Sequence, residues 1–232
     1  MPTPQRRIDL NADLGEEVTD DAALLAVVTS ANVACGYHAG TAAIMRAVCE
    51  EAAVRGVSVG AQVSYADREN FGRVAREVPH DVLREQVAEQ VGVLASIAGE
   101  SGTSVRYLKP HGALYHRVID DEAQAAAVLA GSGDLPVLGM PGELRAQAVA
   151  QGRVVYREGF PDRGYGAAGR LLPRGEPGAV VETESEIVAQ ALALAARVDS
   201  LCLHGDSPGA VRHASAVRAA LVGAGLDLRP FT

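Results

Sequence analysis

Short apolar runs of β type alternate with longer segments of helical period along the whole chain. Arg6–Asp13 opens as a strand, and Asp20–Val27 reads as a short helix with Asp20 and Asp21 at its positive end. Val28–Ala34 is a second strand. Thr41–Arg55 is a helix, with Thr41 as its N-cap and Gly56 as its stop. Val57–Val63 is a third strand. The clearest helix is His80–Ala98, where Val82, Leu83, Val87, Val91, Leu94 and Ile97 recur at spacings of one, three and four; Gly99 reads as its end. Beyond it come strand Val105–Lys109, helix Asp121–Leu129, strand Pro136–Met140, helix Gly142–Ala150 and strand Val154–Glu158. Helix Ser185–Arg197, strand Ser200–Leu203 and helix Ala210–Val222 complete the pattern.

Strands joined through helical crossovers lie parallel, with helices outside the sheet. About seven such units, without a GxGxxG turn after the first strand, predict an α/β chain folded as a (β/α) barrel. No repeat and no Pro/Ser-rich linker divides it, so residues 1–232 read as one barrel domain. The long connection is Phe160–Glu182, rich in Gly and Pro. Loops of that length in compact domains usually carry function.

Parallel α/β folds place their chemistry at the C-terminal ends of the strands, and polar residues gather there. Asn11, Asp13 and Glu16 follow the first strand; Asn32, Cys35 and His38 the second; Gln62, Tyr65 and Asp67 the third. Lys109, His111 and His116 follow the fourth, Glu158, Asp162 and Arg163 the sixth, and His204 and Asp206 the seventh. Asn11 and Asp13 alternate and so face one side of their strand. Asp13 also fits as a turn cap, and His204 and Asp206 as a turn before a helix that Ser207 caps. Cys35, Cys49 and Cys202 read as small core residues.

Composition narrows the function. The chain has 21 Lys+Arg against 29 Asp+Glu, a formal net charge of −8, and no Trp, which makes a nucleic-acid partner a poor fit. No apolar run reaches the roughly 20 residues of a membrane helix, and no signal-peptide pattern opens the chain, so a cytoplasmic location is expected. Lys109 is the single lysine among the 21 basic residues. A position that keeps Lys where Arg serves everywhere else points to a need for a compact ammonium. Asp13, His38, His111 and His204 have the chemistry of metal ligands, but no HxxxH or HExxH spacing occurs, so a tightly bound metal is not expected. No Gly-Lys-Ser/Thr occurs, which excludes a conventional phosphate-binding loop.

The stretches IDLNADLGEE, SANVACGYHAG, ENFGR, LKPHGALYH, EGFPDRGYGAAGRLLPR and LCLHGDSPGAV run in order from residue 8 to about 211. Together they resemble the LamB/YcsF family, that of the A subunit of ATP-dependent 5-oxoprolinase. The sequence departs from the family pattern at Gln62, where a His is usual, and at Thr41, where an Asp is usual. The resemblance implies a seven-stranded barrel similar to polysaccharide deacetylases. It implies ATP-driven opening of the 5-oxoproline lactam to L-glutamate, with Mg²⁺ accompanying ATP and separate subunits B and C as partners. Self-association into a homo-oligomer is compatible with it. Carried onto this chain, the catalytic candidates are Asp13, Lys109, His111, His204 and Asp206. The substrate-binding candidates are Asn11, Glu16, Asn32, His38, Asp67, Asp162 and Arg163. The alternatives are a metal-dependent deacetylase-like hydrolase and a non-catalytic binding subunit.

Overall fold

The computed structural model describes residues 6–205 and 209–232. Seven strands form the barrel: β1 (Arg7–Leu14), β2 (Ser30–Ala34), β3 (Ser58–Val63), β4 (Val105–Pro110), β5 (Val137–Gly139), β6 (Val155–Gly159) and β7 (Ser200–Leu203). Each pairs in parallel with the next, and β1 pairs with both β7 and β2, which closes the cylinder. The helices are α1 (Asp21–Leu25), α2 (Ala42–Arg55), α3 (His80–Glu100), α4 (Gly112–Asp120), α5 (Glu122–Gly131), α6 (Glu143–Ala150), α7 (Glu184–Ala195) and α8 (Ala210–Gly223). A two-residue strand, β8 (Asp227–Leu228), joins the outer edge of β1 at Arg7 and Ile8. Among the described residues no helix is long and apolar enough to cross a membrane.

Local chemistry fixes the ends of these elements. The Thr41 hydroxyl accepts from the Ile44 N–H at the start of α2, and Gly56 leaves it in the left-handed region at φ 67°. Asp20 caps α1 by accepting from the Ala23 N–H at 3.0 Å. The stripe of α3 buries Leu83, Val87, Leu94 and Ile97, each contributing roughly 1.5–3 kcal/mol. This helix also holds the third strand end. Gln90 accepts from the Ser64 N–H at 2.9 Å and donates to the Ser64 carbonyl at 3.0 Å.

The main differences from the sequence expectation lie in three elements. Helix α3 runs through Gly99 to Glu100, and the chain turns at Gly102, whose φ is 79°. The segment after Pro110 forms α4, which buries Leu114, Tyr115, Val118 and Ile119 at helical spacing. Strand β8 has only two residues, too few for a period to register.

Alternation along β1 sorts its side chains. Ile8, Leu10, Ala12 and Leu14 belong to the apolar core under the helices, while Asp9, Asn11 and Asp13, on the opposite face, are buried inside the barrel. Tyr107 fills the interior opposite Gly60, where a Cβ would sit 2.2 Å from its ring. At the N-terminal end of the barrel Phe231 packs on Tyr107 and Tyr156, with centroids 4.8 and 4.5 Å away.

Candidate functional site

A continuous hydrogen-bonded ladder climbs the barrel axis. Ser200 donates to Asp9 at its base, and Asn11 donates to the Ser200 hydroxyl at 2.6 Å. Asn32 donates to Asn11 Oδ1 at 2.6 Å and to Asp13 Oδ1 at 2.8 Å, while the Tyr107 hydroxyl donates to Asn32 Oδ1 at 2.7 Å. At the top, Lys109 Nζ lies 2.8 Å from Asp13 Oδ1, 2.9 Å from Glu158 Oε1 and 3.1 Å from Cys202 Sγ. Tyr115 donates to the other oxygen of Glu158 at 2.9 Å.

Charge in this cluster is held by mutual compensation. Burial opposes ionisation of Asp13, but Lys109, then His204 and His111, outweigh it and keep the carboxyl below its usual range. Burial likewise opposes charge on Lys109, but Asp13 and Glu158 hold its ammonium well above the ordinary lysine value. Lys109 is therefore a fixed cation at neutral pH, suited to stabilising negative charge and unsuited to acting as a base. Burial pushes the Cys202 thiol up, so it stays protonated beside it.

A second pair stands at the rim. His204 Nδ1 lies 2.9 Å from Asp162 Oδ2, and the His204 N–H donates to the same oxygen at 3.0 Å. Phe160 stacks on the imidazole at 5.5 Å. Burial disfavours the imidazolium, but Asp162 outweighs it and raises the His204 value; His204 in turn lowers that of Asp162. This arrangement fixes the ring and leaves Nε2 as the nitrogen for proton transfer.

A third group lies beside the first. The His38 and His111 rings stack at 4.0 Å, and the Nε2 atom of each is 3.5 Å from Glu16 Oε1. Gln62 donates to that oxygen at 3.0 Å, and Phe71 meets both imidazoles edge-on. Burial, and then His38, lowers the His111 value well below the usual imidazole. Glu16, His38 and His111 offer donor atoms within 4.8 Å of one another, so among the described residues they form a set that could hold a metal ion. Local sequence spacing could not reveal this set, because its members follow three different strands.

The groups meet a cavity of about 250 Å³ at the C-terminal mouth. Asp13, Lys109, His111 and His204 line it from the barrel side, and Arg73, Arg163, Arg174 and His116 line it from the loops. Burial, and then Arg163 and Arg174, lowers the His116 value, which marks that wall as cationic. Of the remaining candidates, Asn11 and Asn32 sit below Asp13 in the ladder. Arg163 lines the cavity and also ties the long loop together by donating to the carbonyls of Ala179 at 2.9 Å and Leu172 at 2.7 Å. Asp67 is not among the lining residues; it accepts from Asn70, Arg76 and the Val74 N–H and organises the 67–74 turn. Asp206 lies outside the described residues. Sequence reasoning gave no role to Glu158, Tyr107 or Tyr115. Period-two spacing from Lys109 marks Tyr107 as its neighbour inside the barrel, and helical spacing in α4 marks Tyr115.

The chain is 51% identical to the A subunit of 5-oxoprolinase from Streptomyces coelicolor, across 97% of this chain and 99% of that one. It is 48% identical to the protein of the same name from Mycobacterium avium, across 97% and 98%. Among solved structures, the lactam utilization protein of Thermus thermophilus superposes with a TM-score of 0.90 at 32% identity, covering 97% of this chain and all of that one. The peptidoglycan deacetylase PdaC of Bacillus subtilis shares the fold, with a TM-score of 0.55 at 13% identity over 97% and 88% of the two chains. The LamB/YcsF family model matches residues 8–232, and with these full-length relatives it shows that the chain belongs to the LamB/YcsF family.

Proposed function

We propose that this chain is the A subunit of an ATP-dependent 5-oxoprolinase, which opens the lactam of 5-oxoproline to L-glutamate in concert with subunits B and C. The observation that carries this reading is the identity of about half over essentially the whole length with proteins named as the A subunit of 5-oxoprolinase. The cavity supports it: its cationic loop wall suits the substrate carboxylate, and its charged floor suits a reacting amide.

Amide resonance makes the lactam a poor electrophile. Transfer of the γ-phosphoryl group of ATP, with its Mg²⁺, to the lactam oxygen gives an imidate phosphate and ADP. Water then adds to the ring carbon. Cleavage of the C–N bond, with a proton delivered to nitrogen, leaves an acyl phosphate, and a second water releases phosphate and glutamate. The Lys109 ammonium stabilises charge on the phosphorylated oxygen. His204, oriented by Asp162, moves protons to and from the water and the leaving nitrogen. This chain has no Gly-Lys-Ser/Thr loop, so the nucleotide is held either in another way here or by one of the partners.

The test is glutamate release from 5-oxoproline and ATP by the chain with its co-purified partners. The expected result is one ADP per glutamate, no turnover when this subunit is omitted, and a fall of about a hundredfold or more in kcat with His204→Asn. ATP-coupled turnover that survives omission of the subunit would overturn the reading. Near-normal kcat in His204→Asn would remove that residue from the mechanism.

A further inference from the structure

Buried polar atoms are nearly always hydrogen-bonded, so an orphaned group asks for a physical account. The group formed by Glu16, His38 and His111 holds several. Neither ring nitrogen of His38, nor Nδ1 of His111, has a hydrogen-bond partner among the described residues, although His38 is 1% and His111 7% exposed. The carboxylate between them is 4% exposed and receives one amide hydrogen bond, from Gln62. A carboxylate buried beside two unsatisfied imidazoles is costly unless a cation balances it.

The spacing of the donors points the same way. Hydrogen bonds from imidazole to carboxylate run at about 2.7–2.9 Å, but both Nε2 atoms stand 3.5 Å from Glu16 Oε1. Two donors on one tetrahedral ion, each bound at about 2.0–2.1 Å, lie roughly 3.4 Å apart. The observed separations match the spacing of donors around such an ion. Two imidazoles and one carboxylate form a three-ligand set that leaves a fourth position open. His111 belongs to this set and also lines the cavity, so the site borders the space where substrate would lie.

The set is also rigidly built. The His111 N–H donates to the Val63 carbonyl at 2.8 Å, which ties the fourth strand end to the third. Phe71 covers both rings, and Gly72 (φ 68°) passes so close that a Cβ there would meet Ser64 Oγ at 2.2 Å and His111 Nδ1 at 3.2 Å. Gln62 steadies the carboxylate by donating to the same oxygen, Oε1, that faces the two imidazoles.

We propose that Glu16, His38 and His111 form a binding site for one divalent transition-metal ion of the zinc class. The inference stands on these three side chains and does not depend on the lactam-opening reading. The experiment strips the full chain with a chelator, removes the chelator, and titrates with Co²⁺ alone and then Zn²⁺ alone. Binding is read from visible cobalt absorption and from metal content after gel filtration. One equivalent per chain, with the absorption of a low-coordinate cobalt centre that Zn²⁺ displaces, is expected. His38→Leu and Glu16→Gln, each confirmed folded by circular dichroism, are expected to lose that equivalent, while His80→Ala, on an exposed helix start, keeps it. Absence of a bound equivalent in the unsubstituted chain overturns the proposal whatever the variants do. Undiminished binding in either folded variant overturns the ligand assignment.

Discussion

Two buried polar clusters sit side by side at the mouth of this barrel, and they are built on opposite principles. Around Lys109 the charges compensate: its ammonium meets Asp13 and Glu158, and Asp13 is held from below by Asn32. Around Glu16, among the described residues, the ring nitrogens of His38 find no hydrogen-bond partner and a single amide serves the carboxylate. The first cluster balances its charges within the protein, although Glu158 Oε1 meets Lys109 as an ion pair and not as a hydrogen bond. The second is the one that the proposed metal ion would complete.

The contrast is broken or sharpened most by Lys109→Met. Removing the cation strands two buried carboxylates, and we expect a loss of about 3–5 kcal/mol in chemical denaturation together with loss of turnover. By contrast His38→Leu, a near volume-conserving change at a ring with no partner, is expected to cost no more than about 1.5 kcal/mol in the metal-free protein. Equal losses at the two positions would erase the distinction.

The base of the ladder offers a pH test. Burial raises the Asp9 carboxyl from its ordinary 3.8 to about 6, against the hydroxyls of Ser200, Ser30 and Thr29. A carboxyl raised in the folded state loses stability as pH climbs from the unfolded to the folded value, because the folded protein must then ionise it. Asp9→Asn removes this penalty, so the stability difference between variant and parent should move in the variant's favour by about 2.4 kcal/mol between pH 4 and pH 7. A flat difference across that window would show that Asp9 ionises normally.

At the rim, Asp162→Asn should cost about 2 kcal/mol near neutral pH. The His204 part of that pair is fully present below about pH 6.5 and fades as pH rises through the raised folded value. The Asp162 part is present above about pH 3.9 and fades as pH falls through its lowered value. A nuclear magnetic resonance titration should show the His204 resonance moving to lower pKa in Asp162→Asn; an unchanged midpoint would dissolve the pair. The smallest effect is expected for Tyr107→Phe, which removes one donor to Asn32 at a cost of about 1 kcal/mol and leaves the barrel filled. A loss several times larger would show that the ladder acts as one unit.

The barrel was legible in the sequence because its signals are local and periodic. Thr41 and Gly56 bracket α2, and Leu83 to Ile97 draw the buried stripe of α3. Helix α4 escaped because the conspicuous KPHG segment that leads into it reads as loop. The site was legible as a list of polar strand ends and not as an arrangement. Nothing near Lys109 in the chain announces that Glu158, two strands further on, faces it. Nothing near His38 announces His111, because the barrel's closure and strand stagger determine which ends become neighbours. The twin roles of Arg163, on the cavity wall and across the loop, likewise emerge only from the folded path.

Phe231, wedged between Tyr107 and Tyr156, stoppers the far end of the cylinder. The cavity that meets Lys109 and His204 lies at the opposite, C-terminal mouth, so a molecule bound there approaches from the side that carries the long loop.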